Sequence, residues 1–146
     1  MRFGSLIEAF EKIKERRIAV IGDLSLDIYW HADMRLSELS LETPNFPLPI
    51  VKERFSLGAA GNIVNNLSVL GVKEIYFITV IGEDWRKNIA YDLLNKLDNV
   101  KTQYILTAEN RITPAYCKPI KHGISDVVYE DSRLDFWNVE EMDSKT

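Results

Sequence analysis

Two carboxylates four residues apart, Asp23 and Asp27, follow the apolar run RIAVIGD and precede the aromatic pair Tyr29 and Trp30 in GDLSLDIYW. Carboxylates delivered at the C-terminal end of a strand can take hydrogen bonds from sugar hydroxyls, and an adjacent ring offers an apolar face to a pyranose or furanose. The competing reading has Asp23 capping a turn and Asp27 solvated. A second constellation is SLGAAGNIVNN, Ser56 to Asn66. Tiny residues opening a helix let a ligand approach the backbone, and the free amides of a helix N-terminus donate to anions or hydroxyl lone pairs. Asn62 would add a donor and an acceptor there. Two other readings compete: a tight turn that packs helix on sheet, and a dinucleotide fingerprint. The fingerprint needs G-x-G-x-x-G directly after a strand, and the segment has only Gly58 and Gly61.

Other reactive residue types carry less. His31 and His122 lack metal-ligand spacing and read as surface or lid histidines, so no metal site is expected. Cys117 has no CxxC partner and falls in a predicted strand, which suits packing better than nucleophilic chemistry. There is no G-x-S-x-G elbow and no Walker A lysine motif.

These residues must be positioned by a regular alternation of elements. Ser5 and Glu8 have capping-box spacing ahead of a helical stripe of Leu6, Phe10 and Ile13. RIAVIGD reads as a buried strand stopping at Gly22. Gly61 to Gly71 reads as a helix with Ile63, Leu67 and Leu70 on one stripe and a glycine stop. Glu74 to Gly82 is a second strand, Asp84 caps a helix carrying Ile89, Leu93, Leu94 and Leu97, and Thr102 to Thr107 is a third strand. Alternation at these lengths predicts βαβ units, hence a parallel sheet with helices packed on it.

Three segments break the alternation, at about residues 28–34, 47–55 and 111–131. Their polar and apolar residues alternate, two prolines fall in one strand, and KHGIS supplies a glycine turn. They predict a separate, half-exposed antiparallel layer lying over the carboxyl ends of the main strands, a lid over the place where ligands bind. Beyond DSRLDFW, Asn138 is expected to cap a helix that the chain does not finish. An unfinished element suggests a boundary imposed on a longer protein.

Composition narrows the function classes. The chain has 146 residues, 18 Lys plus Arg against 22 Asp plus Glu, and a formal net charge of -4, so it lacks the basic excess of a nucleic-acid binder. Hydrophobic residues at 46% and charged residues at 27% suit one globular domain rather than disorder. No apolar run approaches the roughly 20 residues of a membrane span, and the N-terminus is too acidic for a signal peptide. A single cysteine excludes an intramolecular disulfide and fits a reducing cytoplasm.

Taken in order, VIGDLSLDIYW, NFPLPIVKERF, LGAAGNIVNNLSVLG, VIGED, RITPAYCKP and DVVYED resemble the ribokinase-like (PfkB) carbohydrate kinases over nearly the whole chain. The resemblance is strongest to the branch that phosphorylates heptose phosphate for ADP-heptose synthesis. It implies an α/β fold: the N-terminal half of a doubly wound parallel sheet with a small antiparallel β lid, residues 1–146 forming one partial domain. It implies that Asp27 binds sugar hydroxyls, that Gly58 and Gly61 let the sugar approach the backbone, and that Asn62 hydrogen bonds the substrate. Asn66 matches an asparagine of the heptose branch. Lys118 matches a lid lysine that faces a substrate phosphate; a solvated edge-strand lysine is the other reading. Leu57 and Val64 depart from the family's small residues and imply a narrower or shifted sugar loop.

The family's D-T-x-G-A-G-D segment, whose last aspartate acts as the base, is absent, so no catalytic residue is assigned. The family uses ATP and Mg²⁺, and neither is expected to bind tightly to this chain alone. The implied function is the sugar-binding and lid portion of an ATP-dependent kinase acting on a sugar or sugar phosphate. The alternatives are a non-catalytic sugar-binding or oligomerisation module and, remotely, a dinucleotide-binding oxidoreductase domain. Partners follow from the same reading: a sugar or sugar phosphate, a second copy paired through lid strands or the exposed sheet edge, no nucleic acid and no membrane.

Overall fold

The computed structural model describes residues 5–139 and 141–142. The β-branched run Arg17–Ile21 forms β1, which lies parallel to β4, Glu74–Gly82. Strand β4 also pairs in parallel with β5, Val100–Lys101, and with β6, Ile105–Ala108. The predicted third strand, Thr102 to Thr107, is thus two short pieces, one just before that range and one overlapping its end. Helix α1, Leu6–Ile13, starts at Ser5, whose Oγ accepts from the Glu8 amide at 3.2 Å as the capping-box spacing requires. It buries no residue.

A second sheet carries the segments that broke the alternation. Its strands are β2, Leu24–Asp33; β3, Ile50–Ala59; β7, Ala115–His122; β8, Tyr129–Glu130; and β9, Leu134–Phe136. The order is β3-β2-β7-β8, with β9 also on β7. This layer is mixed, not purely antiparallel: β2 and β7 run parallel from Leu26 opposite Ala115 to Asp33 opposite His122. Strand β2 begins two residues after a bend at Gly22 and carries the chain from the main sheet into the lid.

The two sheets share one core. Residues of even number on β2, Leu24, Leu26 and Ile28, are fully buried with Ile75, Phe77 and Ile81 of β4. Helix α2, Ala60–Val69, joins β3 to β4 and inserts Ala60, Gly61 and Val64. Its predicted stripe is out of phase: Ile63 and Leu70 are exposed, and Leu67 packs at the margin. Helix α3, Trp85–Leu94, buries Arg86, Ala90 and Leu94. Cys117 faces the core, as expected for a packing residue, and burial raises its thiol pKa.

Asp84 ties several elements together. It caps α3 by accepting from the amides of Arg86 at 3.0 Å and Lys87 at 3.3 Å. It also accepts from the Thr113 amide at 2.9 Å and pairs with Arg86 at 2.9 Å. Burial pushes its carboxyl pKa up, but the Thr113 bonds and the Arg86 charge outweigh that and hold it below its ordinary value. Thr113 Oγ1 accepts from the Gly82 amide at 3.1 Å, and a side chain on Gly82 would strike the Arg111 and Ile112 backbone. The predicted cap at Asn138 takes another role. Its amide bonds Ile112 N and O, each at 2.9 Å, and residues 137–139 are not helical. The rest of that predicted helix lies largely outside the described residues.

Candidate functional site

Side chains alternate across a strand, so Asp27, Tyr29 and His31 share the face of β2 opposite the core. Register places Ser56 opposite Asp27 and Arg54 opposite Tyr29 on β3, with Tyr116 and Lys118 beside them on β7. The result is a polar floor. Lys118 Nζ donates to Asp27 Oδ1 at 2.9 Å and to the Tyr29 hydroxyl at 3.3 Å. Burial works against the Lys118 charge, but the Asp27 and Tyr29 hydrogen bonds prevail and raise its pKa above the ordinary lysine value. Lys118 is therefore no solvated edge residue, since β7 lies between β2 and β8.

The aromatic pair divides its duties. The Tyr29 ring lies under the Arg54 guanidinium at 3.6 Å and the Lys118 ammonium at 4.8 Å, cation–π contacts that fix the ring beside Asp27. Trp30 points the other way, packs against the core margin and donates its indole N–H to Glu53 at 2.8 Å. Strand parity in DIYWH carries that distinction, though either aromatic fits the sequence reading.

The two loop glycines act differently. A Cβ on Gly58 would lie 2.5 Å from Ser25 Oγ and 3.4 Å from Asp27 Oδ2. The missing side chain therefore makes room for Ser25 and Asp27. A Cβ on Gly61 would lie 2.5 Å from Leu24 Cδ1, so this glycine is required by helix-on-sheet packing. The dinucleotide reading meets a topological obstacle: the strand before α2 is β3, which pairs antiparallel with β2 and belongs to no βαβ unit.

A groove of about 390 Å³ takes lining from both faces of the edge strand β3 and from α2 and α3. Asp27, Tyr29, Ser56, Asn62, Asn65 and Lys96 supply its polar wall, and Leu57 is among the apolar lining. Asn62 is one of the lining residues. Asn66 is not among the lining residues, and its neighbour Asn65 is. The sequence signal for Asn65 is the i, i+3 relation to Asn62. A second cavity, about 210 Å³, is bordered by Asp23, Ser25, Arg111 and Tyr116. The Ser25 hydroxyl is buried and has no hydrogen-bond partner among the described residues, a cost of about 1–3 kcal/mol unless a ligand or water satisfies it. Sequence reasoning missed Ser25, Ser56, Arg54 and Tyr116, all fixed by strand register. Asp23 and Asp27 thus serve separate cavities.

His31 and His122 come together despite their separation in sequence, with Nδ1 and Nε2 2.9 Å apart. Among the described residues no three His, Cys, Asp or Glu side chains converge to hold a metal ion. Among the described residues, no helix is long and apolar enough to cross a membrane.

No protein-family model matches the chain. The bifunctional protein HldE of Aliarcobacter butzleri is 35% identical over 130 residues, 87% of this chain and 26% of that protein. HldE of Campylobacter concisus is 38% identical over 102 residues, 67% of this chain and 20% of that protein. The chain thus spans about a quarter or less of these relatives. Among solved structures, the Methanocaldococcus jannaschii nucleoside kinase of the ribokinase family matches with TM-score 0.52 and 21% identity, over 84% of this chain and 36% of that one. Arabidopsis thaliana ribokinase, solved with ribose and ATP, matches with TM-score 0.56 and 18% identity, over 80% and 36%. The chain thus has the ribokinase fold of these structures and is a sequence relative of the HldE proteins.

Proposed function

We propose that this chain forms the acceptor-binding floor and lid of an ATP-dependent carbohydrate kinase, holding the hydroxyl of a sugar or sugar phosphate for phosphoryl transfer. The observation that carries the reading is Asp27, half-buried on a polar strand face and held by Lys118 at 2.9 Å. An ionised carboxylate accepts hydrogen bonds only, and Lys118 occupies Oδ1, which leaves acceptor capacity for a sugar's paired hydroxyls. Tyr29 would give the sugar an apolar face and Asn62 a further donor and acceptor. Gly58 keeps the space that Asp27 needs.

Lys118 would orient Asp27 in the free protein and turn to the phosphate of a phosphorylated acceptor, for which heptose phosphate is the first candidate from the family branch. Asn66 and Gly61 take no contact with the sugar in this reading. Phosphoryl transfer depends on holding donor and acceptor in line, and this chain's residues would supply the acceptor side. ATP and Mg²⁺ would be held by residues of the fold outside those described. A cytoplasmic setting, with Cys117 reduced, accords with this use.

Calorimetric titration with a panel of sugars and sugar phosphates tests the reading. Asp27→Ala is expected to weaken binding about 10- to 100-fold, the loss of a charged hydrogen-bond acceptor. Unchanged binding by a variant with unchanged circular dichroism would remove Asp27 from the site. A second reading is a sugar-binding module without turnover, for which the polar floor of Asp27, Tyr29 and Lys118 is a binding surface in its own right. ADP release on mixing the chain with ATP and a bound sugar would exclude it.

A further inference from the structure

The far half of the lid face carries cations that hydroxyl binding at Asp27 does not use. Lys52 and Arg54 of β3 stand opposite His31 and Tyr29 of β2, and neither forms an ion pair among the described residues. The Arg54 guanidinium lies on the Tyr29 ring at 3.6 Å, which holds it on that face without neutralising it. His31 and His122 meet across the parallel pair β2 and β7, with Nδ1 and Nε2 2.9 Å apart. Their ring centroids are 5.2 Å apart and their planes differ by 27°, so the imidazoles lie end to end in the geometry of an N–H···N bond. A neutral imidazole has one donor and one acceptor nitrogen, so this bond leaves the pair with one further N–H and one bare nitrogen. A proton taken up at the bare nitrogen gives the pair a positive charge and a second free donor.

Acids do little to balance this end of the face. Asp33, opposite His122 in register, is held by Arg35 through both carboxylate oxygens at 2.9 and 2.6 Å. Glu130 of β8 stands opposite Ile120, two strands away from His31 in register. Lys118, bonded to Asp27 and Tyr29, borders the cluster on the Asp27 side. Two unneutralised cations, one of them a guanidinium fork, match the charge of a phosphate dianion, and the imidazole pair supplies donors for its remaining oxygens. We propose that Lys52, Arg54 and the His31–His122 pair form a proton-coupled phosphate site on the lid, filled by the phosphate of an acceptor whose sugar lies at Asp27. The carrier rests on the sugar reading above; the phosphate site itself does not. A strand's rise puts Tyr29 about 7 Å and His31 about 13 Å from Asp27, so the phosphate belongs to the end of the acceptor remote from the hydroxyls on Asp27. In the free protein burial, His122 and the two cations keep His31 below its ordinary pKa. A bound dianion offsets Lys52 and Arg54, and binding then draws a proton onto the pair.

Calorimetric titration of the 146-residue chain with inorganic phosphate at pH 7.5, in two buffers of different ionisation enthalpy, counts that proton. Phosphate is expected to bind with uptake of a fraction of a proton, and its affinity to rise about threefold or more from pH 8.5 to pH 7. Lys52→Gln and Arg54→Gln should each weaken binding about tenfold. His31→Gln with His122→Gln should abolish the uptake while the two cations still hold phosphate more weakly. No binding up to about 10 mM phosphate, where a millimolar site is filled, would overturn the proposal. So would binding without proton uptake, or binding indifferent to Lys52→Gln and Arg54→Gln. Each sugar phosphate of the panel is then compared with its parent sugar and with ATP. Arg54→Gln should weaken a sugar phosphate about tenfold and leave the parent sugar unchanged. Equal losses for both, a loss confined to ATP, or no sugar phosphate bound better than inorganic phosphate would overturn the assignment to the acceptor. The phosphate titration contains no sugar, so this site and the Asp27 reading can fail separately.

Discussion

Ala59 carries a backbone that its side chain disfavours, with φ 49 and ψ -129 at the junction of β3 and α2. That region suits glycine, and an alanine held there costs about 1–3 kcal/mol. Glycine would relieve the strain while losing more entropy on folding, by roughly 0.5–1 kcal/mol. Ala59→Gly is therefore expected to stabilise the protein by about 1 kcal/mol, read as a higher denaturant midpoint at constant slope. A lower midpoint would show that the turn is not strained. The strain was not legible in LGAAGN, where either small residue fits the pattern. Asp27, Asn62 and Lys118 were legible as types, and the structure places Asp27 and Lys118 in contact. The phase of α2 was misread from Ile63, Leu67 and Leu70. The buried positions at its start are Ala60 and Gly61, which weigh little in a hydrophobic pattern although packing needs their smallness.

Strand pairing over long sequence separations is the part of the fold that local patterns describe least. β2 and β7 each alternate visibly, but no turn links them, so nothing local reveals that they run parallel. That pairing is what joins His31 to His122. The groups facing His31 are His122, Lys52 and Arg54, with Asp33 nearby on the same strand already bound to Arg35. Burial, then His122 and the two cations, lower the His31 pKa below its ordinary 6.5. A histidine whose folded pKa is depressed binds fewer protons folded than unfolded. Its contribution to stability is full above pH 6.5 and falls as pH drops through that value toward the folded pKa. Urea midpoints at pH 7.5 and 5.5 should therefore differ in favour of pH 7.5, and His122→Phe should reduce the difference. An unchanged difference would separate the histidine pair from the acid response.

The alternation of strands and helices predicts the parallel sheet and its shared core. It cannot tell which face of that sheet meets the core, because an apolar strand reads alike whether covered once or twice. Cooperativity should follow the core. β4 is paired on both sides and buries Ile75, Phe77, Thr79 and Ile81, whereas α1 buries nothing. Hydrogen exchange should be slowest in β4, near the global opening limit, and several kcal/mol less protected in α1. Equal protection would mean that α1 is docked. The ten residues of β2 span about 33 Å at a strand's rise, with Leu24, Leu26 and Ile28 embedded and Lys52 and His122 beside the far end. Mechanically this is a cantilever three strands wide: clamped in the core at its root, with β3 and β7 paired alongside β2 out to its tip. Deflection of such a beam grows with distance from the clamp. Bending of that tongue would move His31 near the tip more than Asp27 near the root, so a hydroxyl held at Asp27, as proposed, would be insulated from it.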